Sequence, residues 1–470
     1  MRFDPEQEEL RRTVRTLLER AAGGDVWRLL AEQVGALGLA VPEEFGGAGF
    51  SVLETHVVLE ELGAALAAPG FLSTTLAAQA ILAGDSVRAK GDLLPGIAAG
   101  ETRATVGWGG AVEASSEGGG WRLTGVDEHV LDGGEADLLV VPALIADRSG
   151  LMQEARPGLA QAAPPGLTQE ARPGLAQAAR PGLTHEARPD LAQAARPGLT
   201  HEARPGLAQA ARPGLTHEAR PDLAQATPPG LTQEARPDLP QEAPPGLARE
   251  ARPDLPQEAP RGLAQEARRS LARGSQPAPG VGLFAVAASD AVLRSIETVD
   301  PGRPQARVEF RRSPATLLSA DAPLDRILDL ACVAISAEQV GAAQRAFDLT
   351  LAYAKQRVQF GRPIGSFQAV KHRLADMFTL LESARSASYA AAFAAVSGQE
   401  LTVAASRAKA YCSEAFSVIA GEAIQLHGGI GITWEHPIHL YFKRAHATSQ
   451  LFGTPAWHRR RYAHAVGLAA

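Results

Sequence analysis

Cysteine is nearly absent from this chain. There are two in 470 residues, Cys332 and Cys412, each inside an apolar helical pattern. A disulfide framework is thereby excluded, and a reducing, cytoplasmic compartment is expected. A basic surplus is missing too: 46 Lys plus Arg face 52 Asp plus Glu, a formal net charge of -6, which gives no pointer to nucleic acid. No apolar run reaches the roughly 18 residues that a membrane span needs. The opening MRFDPEQEELRR is charged and has no signal-peptide core. What remains is a chain 45% hydrophobic, expected to be a soluble intracellular protein with a sizeable core.

The spacing of apolar residues predicts helices at both ends and strands between. Phe3, Leu10, Val14, Leu17 and Leu18 make a stripe on a charged first helix; Trp27, Leu29, Leu30, Val34 and Leu37 suggest a second. Pro42 to Gly49 is a glycine-rich turn, and Glu54 to Leu66 is helical again. The turn follows no clear strand and lacks a terminal Lys-Ser/Thr, so it is not a P-loop. Trp121–Gly125, Ala136–Val141, Gly282–Ala287 and Arg307–Phe310 read as strands. After Asp321 the pattern is helical to the end: one long helix through Phe347, then Ser366 to about Val396, Leu401 to Leu426, a short segment from Pro437, and a last helix near Pro455.

A foreign piece interrupts the strands. From Gln153 to Ala272 an octapeptide, Gln/His-Glu/Ala-Ala-Arg-Pro-Gly/Asp-Leu-Ala/Thr, recurs fifteen times with small deviations. Proline once per octad forbids helix continuation. One leucine per octad buries too little to offset an ordering entropy of roughly 1–2 kcal/mol per residue. The repeat reads as disordered, with a polyproline-type binding tract as the alternative. Enlarging a surface loop this far costs only on the order of 2 kcal/mol. The expected fold class is α+β multidomain. It has an N-terminal α-helical domain (1–100), a small middle β-barrel or sandwich domain in two parts (101–148 and 281–319), the disordered Pro-rich repeat insertion (149–280), and a C-terminal four-helix bundle (320–470).

Chemistry concentrates at RVQFGRPIGSFQAVKHRLADM, residues 357–377, where Gly361 and Pro363 break one helical pattern and another starts. Arginine binds phosphate through a planar, permanently charged fork, and glycine lets backbone approach a bulky ligand. Spacing alone favours the plainer reading, an interhelical turn carrying a solvated arginine. The segment resembles the flavin-clamping motif of the acyl-CoA dehydrogenase family. QLHGGIGITWEHP at 425–437 resembles a second stretch of that family, and PEEFGGAGFS with VVLEELGAALAAPGFLSTTLA resembles its N-terminal helical domain. Together the three span most of the chain outside the insertion.

The resemblance implies FAD lying across a subunit interface, its adenosine-pyrophosphate end held by the neighbouring subunit. On this chain the residues carried over are Arg357, Gln359, Phe360, Phe367, Gln368, Gln425, Gly428 and Gly429, with Gly453 and Thr454 as a further pair. It also implies α,β-dehydrogenation of an acyl-CoA thioester, with electron-transfer flavoprotein as acceptor and a carboxylate base at the flavin face. Here the chain departs. The residue before Gly453-Thr454 is Phe452, and the alternative base position on the preceding long helix is Ala331; neither can accept a proton. The family's flavin-ring loop is replaced by Val106–Ala111, and the following strand ends His129-Val130-Leu131.

Groups that would serve the chain's own flavin ring are therefore degraded, while those that would reach a neighbour's FAD are kept. The expectation is a non-catalytic, FAD-clamping subunit beside a homologous, base-bearing sister in a dimer or tetramer. Three other readings stay open: an active homomer with a displaced base, for which Glu435 is the fallback; a related flavin monooxygenase or oxidase; and a structural partner protein. Glu435 itself reads as structural, and Glu338 and Asp376 read as capping or ion-pairing groups. His427, His436, His439 and His446 cluster without completing a ligand set, so no metal is expected. Arg459–Arg461 reads as a solvated helix face.

Overall fold

The computed structural model describes residues 3–21, 25–67, 70–108, 110–145 and 280–468. The expected disordered repeat lies outside the described residues. So does the second of the two units into which the chain divides, residues 160–255.

Helix α1 (Pro5–Arg20) starts where its sequence supplies a capping box: the Asp4 side chain accepts the Gln7 N–H, and the Gln7 side chain returns to the Asp4 N–H. The helix expected over Trp27–Leu37 is broken. One turn at Val26–Leu29 runs into a π-type turn at Leu30–Val34, stopped by Gly35 at φ 63°. Helix α2 (Val52–Ala65) is capped reciprocally by Ser51 and Glu54. Helices α3 (Phe71–Ala83) and α4 (Val87–Ala98) follow. Apolar on nearly every side, α3 is buried nearly throughout.

Seven strands come next: β1 (Ala104–Val106), β2 (Ala111–Glu117), β3 (Gly120–Leu131), β4 (Leu138–Ile145), β5 (Gly280–Ala287), β6 (Val292–Ile296) and β7 (Gln305–Ser319). Five of them close a ring in the order β4-β2-β3-β7-β5 and back to β4, so the middle domain is a barrel rather than a sandwich. The near-continuous apolar run of β4 has a reason: Leu139, Val141, Ala143 and Ile145 point into the barrel core, while Leu138 and Val140 join the helical core. Strands β4 and β5 pair antiparallel with Ile145 opposite Gly280. The chain thus leaves for the insertion and returns from it at two hydrogen-bonded neighbours, as at the ends of a hairpin loop.

The C-terminal part consists of α5 (Leu324–Gln356), α6 (Gln368–Ser397), α7 (Leu401–His427), α8 (Ile438–Gln450) and α9 (Pro455–Ala465). Helices α2 and α5 cross closely at Gly63 and Gly341, where a Cβ on either would overlap the other helix's backbone carbonyl. One expectation is corrected: the segment Leu401–Ile432 is long and apolar enough to cross a membrane by length and composition. Its buried residues, among them Ala408, Cys412, Ala415 and Ile419, instead pack in the helix bundle. Helix α6 buries only a narrow stripe through Leu374, Met377, Leu381 and Ala384, and Phe378 on it is 52% exposed.

Polar residues join the layers. Glu338 is buried between Arg303 and Arg444, and Arg444 also pairs with Asp300. Burial works to raise the Glu338 carboxyl, but the two guanidinium groups hold it below the usual range. Glu338 is thus an ion-pairing group. The arginine run departs from expectation at its last member, for Arg461 is largely buried and bound to Asp329, while Arg459 pairs with Glu414 at the surface.

Candidate functional site

Helix α5 stops at Gln356 because Arg357 turns to an extended conformation, φ -68° and ψ 118°, its N–H still bonded to the Tyr353 carbonyl at 2.8 Å. Two short strands then form a hairpin, β8 (Val358–Gln359) and β9 (Arg362–Pro363), with Gln359 opposite Arg362. Its two-residue loop holds Phe360 at φ 52° and Gly361 at φ 75°. Two left-handed residues suit a hairpin turn of the primed type. Glycine fits there freely; for phenylalanine the conformation costs on the order of 1 kcal/mol. Phe360 is also 92% exposed, so within this chain neither the strain nor the exposure is offset.

The hairpin's other groups face outward. Arg357 is exposed and forms no ion pair among the described residues. Arg362 lies over the Phe367 ring at 4.1 Å, and Phe360 meets Phe367 edge-on at 6.1 Å. The Gln359 side chain donates to the neighbouring Val358 carbonyl, and Gln368 shares a 2.8 Å hydrogen bond with His372.

The second turn begins where α7 ends. Gly428 sits at φ 64° and ψ -143°, a combination that glycine alone adopts cheaply. A Cβ on Gly428 or Gly429 would meet nothing within 4 Å, whereas one on Gly431 would press on His427 and Ile424 at 3.0 Å. Packing within this chain accounts for Gly431 and leaves Gly429 unexplained. Gln425 is exposed, and so are Ile432 and Trp434, at 75% and 78%. The hairpin and the glycine turn share one end of the bundle, for Tyr353 of α5 stacks on His427 at 4.4 Å. Hence Arg357, Gln359, Phe360, Phe367 and Gln368 are brought beside Gln425, Gly428 and Gly429.

Phe452, Gly453 and Thr454 belong to a different place, the turn between α8 and α9. Phe452 is left-handed at φ 59°, and its ring meets Trp108, from the β1–β2 loop, edge to face at 5.2 Å. The carbonyl of Phe452 accepts a hydrogen bond from His458 Nε2 at 2.9 Å, with Cys332 Sγ 3.6 Å from the same nitrogen. Burial pushes His458 down to about 3 and Cys332 up to about 12, so His458 is neutral and Cys332 is a thiol. Thr454 caps α9 through the Trp457 N–H. Ala331 is fully buried in the same apolar cluster that Trp108 and Phe452 pack against. Leu330, Val333 and Ala334 of that helix line a cavity of about 30 Å³. Such a space holds roughly one or two waters, and not an acyl chain.

Glu435 is exposed on the glycine turn and does not stand at the Phe452 position. Among the described residues no group of three His, Cys, Asp or Glu is placed to hold a metal. Sequence reasoning gave no role to Tyr353 or His458, and singled out Trp108 only as part of the replaced loop Val106–Ala111. The available signal for Tyr353 was its place four residues before Arg357, one helical turn away on the same face.

Comparison with known proteins fits this geometry. The family descriptions "Acyl-CoA dehydrogenase, N-terminal domain" and "Acyl-CoA dehydrogenase, C-terminal domain" match residues 4–101 and 324–467. The chain belongs to the acyl-CoA dehydrogenase family. It is similar to acyl-CoA dehydrogenase IpdE2 of Mycobacterium tuberculosis, 47% identical over 160 residues, which is 34% of this chain and 47% of that protein. It is also similar to acyl-CoA dehydrogenase FadE34 of the same organism, 42% identical over 188 residues, 39% of this chain and 26% of that one. The matched segments therefore span about half or less of these relatives. Among solved structures, the ChsE4-ChsE5 complex from Mycobacterium tuberculosis has the same fold, with TM-score 0.67 and 22% identity over 100% of this chain and 99% of that one. So has butyryl-CoA dehydrogenase from Megasphaera elsdenii, with TM-score 0.66 and 17% identity over 99% of each chain.

Proposed function

We propose that this chain is the FAD-clamping, non-catalytic subunit of an acyl-CoA dehydrogenase whose base-bearing subunit is a homologous sister chain. One observation supports the reading: an aromatic pair, Phe452 on Trp108, occupies the position before Gly453-Thr454 where the family resemblance implies the carboxylate that removes the α-proton. The outward half fits the cofactor. Arg357, exposed and without an ion pair among the described residues, can neutralise diphosphate; Gly428 and Gly429 leave open space for close backbone approach; exposed Phe360 offers an apolar surface. FAD bound there would accept the hydride lost from the β-carbon of an acyl-CoA thioester. This chain's residues would bind and orient its adenosine-pyrophosphate end, the sister would hold the proton-accepting group, and electron-transfer flavoprotein would take the electrons. Two buried free thiols suit a reducing, cytoplasmic setting.

Co-expression with candidate sisters tests the reading, with acyl-CoA-dependent dye reduction as the readout. Turnover is expected only when a sister carrying a glutamate before its Gly-Thr pair is present. Turnover by this chain alone, abolished by Glu435→Gln, would favour a homomer with a displaced base. Oxygen consumption without an electron acceptor would favour an oxidase or monooxygenase.

A further inference from the structure

The two turns that face outward come from different helices, and among the described residues no backbone hydrogen bond joins them. A ligand spanning both gains from each only if their separation is preset; otherwise binding must order them first. One residue touches both, one turn through its backbone and the other through its side chain. Tyr353 accepts the Arg357 N–H on its carbonyl at 2.8 Å, which fixes where the hairpin departs. Its hydroxyl donates to the His427 carbonyl at 3.3 Å, the peptide group that leads into Gly428. Its ring stacks on the His427 imidazole, centres 4.4 Å apart and planes at 25°.

A third ring joins them. His427 meets His436 at a tilt, centres 4.4 Å apart and planes at 46°, and His436 Nδ1 accepts the Ile438 N–H at 3.2 Å, at the start of α8. The Ala423 carbonyl lies 2.7 Å from His427 Nδ1, so Nδ1 carries the proton. Nε2 is then a bare acceptor, buried and without a partner among the described residues. With its polar edge unsatisfied, His427 is held in place by that one hydrogen bond and by its contacts with the Tyr353 and His436 rings.

We infer that Tyr353 is a positioning residue for the cofactor: through its carbonyl, hydroxyl and ring it sets the distance between Arg357 and the glycine pair Gly428-Gly429. The inference rests on the reading that these turns hold FAD. It holds whether the neighbouring subunit is a sister or a second copy.

The test is FAD affinity of the assembled protein, with assembly mass and thermal midpoint recorded alongside. Tyr353→Phe keeps the stack and loses the hydroxyl; FAD affinity is expected to fall about 3- to 10-fold. Tyr353→Leu loses the stack as well and should cost more, with the assembly mass unchanged. In an Arg357→Met background, Tyr353→Phe should add little, because its target is gone. A purely structural tyrosine would lower the midpoint and leave FAD affinity unchanged, or give fully additive losses; either overturns the inference. If Arg357→Met leaves FAD affinity unchanged, the reading of the turns fails first, and this inference with it.

Discussion

Phe452 meets Trp108 edge to face, ring centres 5.2 Å apart, joining a barrel loop to a turn near the C-terminus. Ala331 and the helical core lie against the same pair. A carboxylate introduced at position 452 would enter apolar surroundings, which disfavour its charged form. Phe452→Glu is expected to destabilise the fold by about 2 kcal/mol at pH 7. Burial raises a carboxyl pKa, so the penalty relative to wild type should shrink as pH falls toward 4.5. Denaturant unfolding of both proteins at the two pH values checks this, and no acyl-CoA turnover should appear.

Arg357 separates cofactor binding from folding. It is exposed and without an ion pair among the described residues, so Arg357→Met should change stability by no more than about 0.5 kcal/mol. Loss of charge-assisted bonds to diphosphate should weaken FAD binding on the order of 10- to 100-fold. Flavin fluorescence titration and thermal unfolding measure the two separately.

The glycine pair makes a sharper distinction. Gly429→Ala meets nothing within 4 Å, so stability should be preserved while FAD affinity falls. Gly428→Ala forces alanine into φ 64° and ψ -143°, which costs about 1–3 kcal/mol, so both quantities should drop.

Acid should weaken the fold through two buried histidines. His56 and His458 are each pushed down to about 3, foremost by burial. Below about pH 6.5 the unfolded chain binds protons that the folded chain refuses. Their contribution is whole above that pH and is lost as pH falls, at up to about 1.4 kcal/mol per unit for each histidine. His458→Gln can still donate to the Phe452 carbonyl, and it should reduce the pH slope of stability between pH 6 and 4 by one proton.

The sequence made the periodic parts of this molecule legible. Leu324, Leu328, Ala331 and Ile335 marked α5, and Phe367, Val370, Leu374 and Met377 marked the start of α6, because one apolar face repeats each turn. Strands at Trp121, Leu138 and Leu283 were visible from their residue types, and the hairpin and glycine turn from family resemblance. Barrel closure was not legible: Ile145 opposite Gly280 is a register set by three-dimensional fit across an insertion that carries no signal for it. The break at Leu30–Val34 escaped notice because its apolar spacing is still helical. Contacts between distant side chains were invisible for the same reason as closure. Trp108 against Phe452, Glu338 between two arginines and Tyr353 on His427 have no local periodicity to announce them.

The most direct measurement is flavin content per chain after purification of this protein alone, and again after assembly with a sister that carries the missing glutamate. The account predicts substoichiometric FAD and no thioester desaturation in the first case, and bound FAD with turnover in the second. One FAD per chain in an isolated homomer that desaturates acyl-CoA unaided would contradict it.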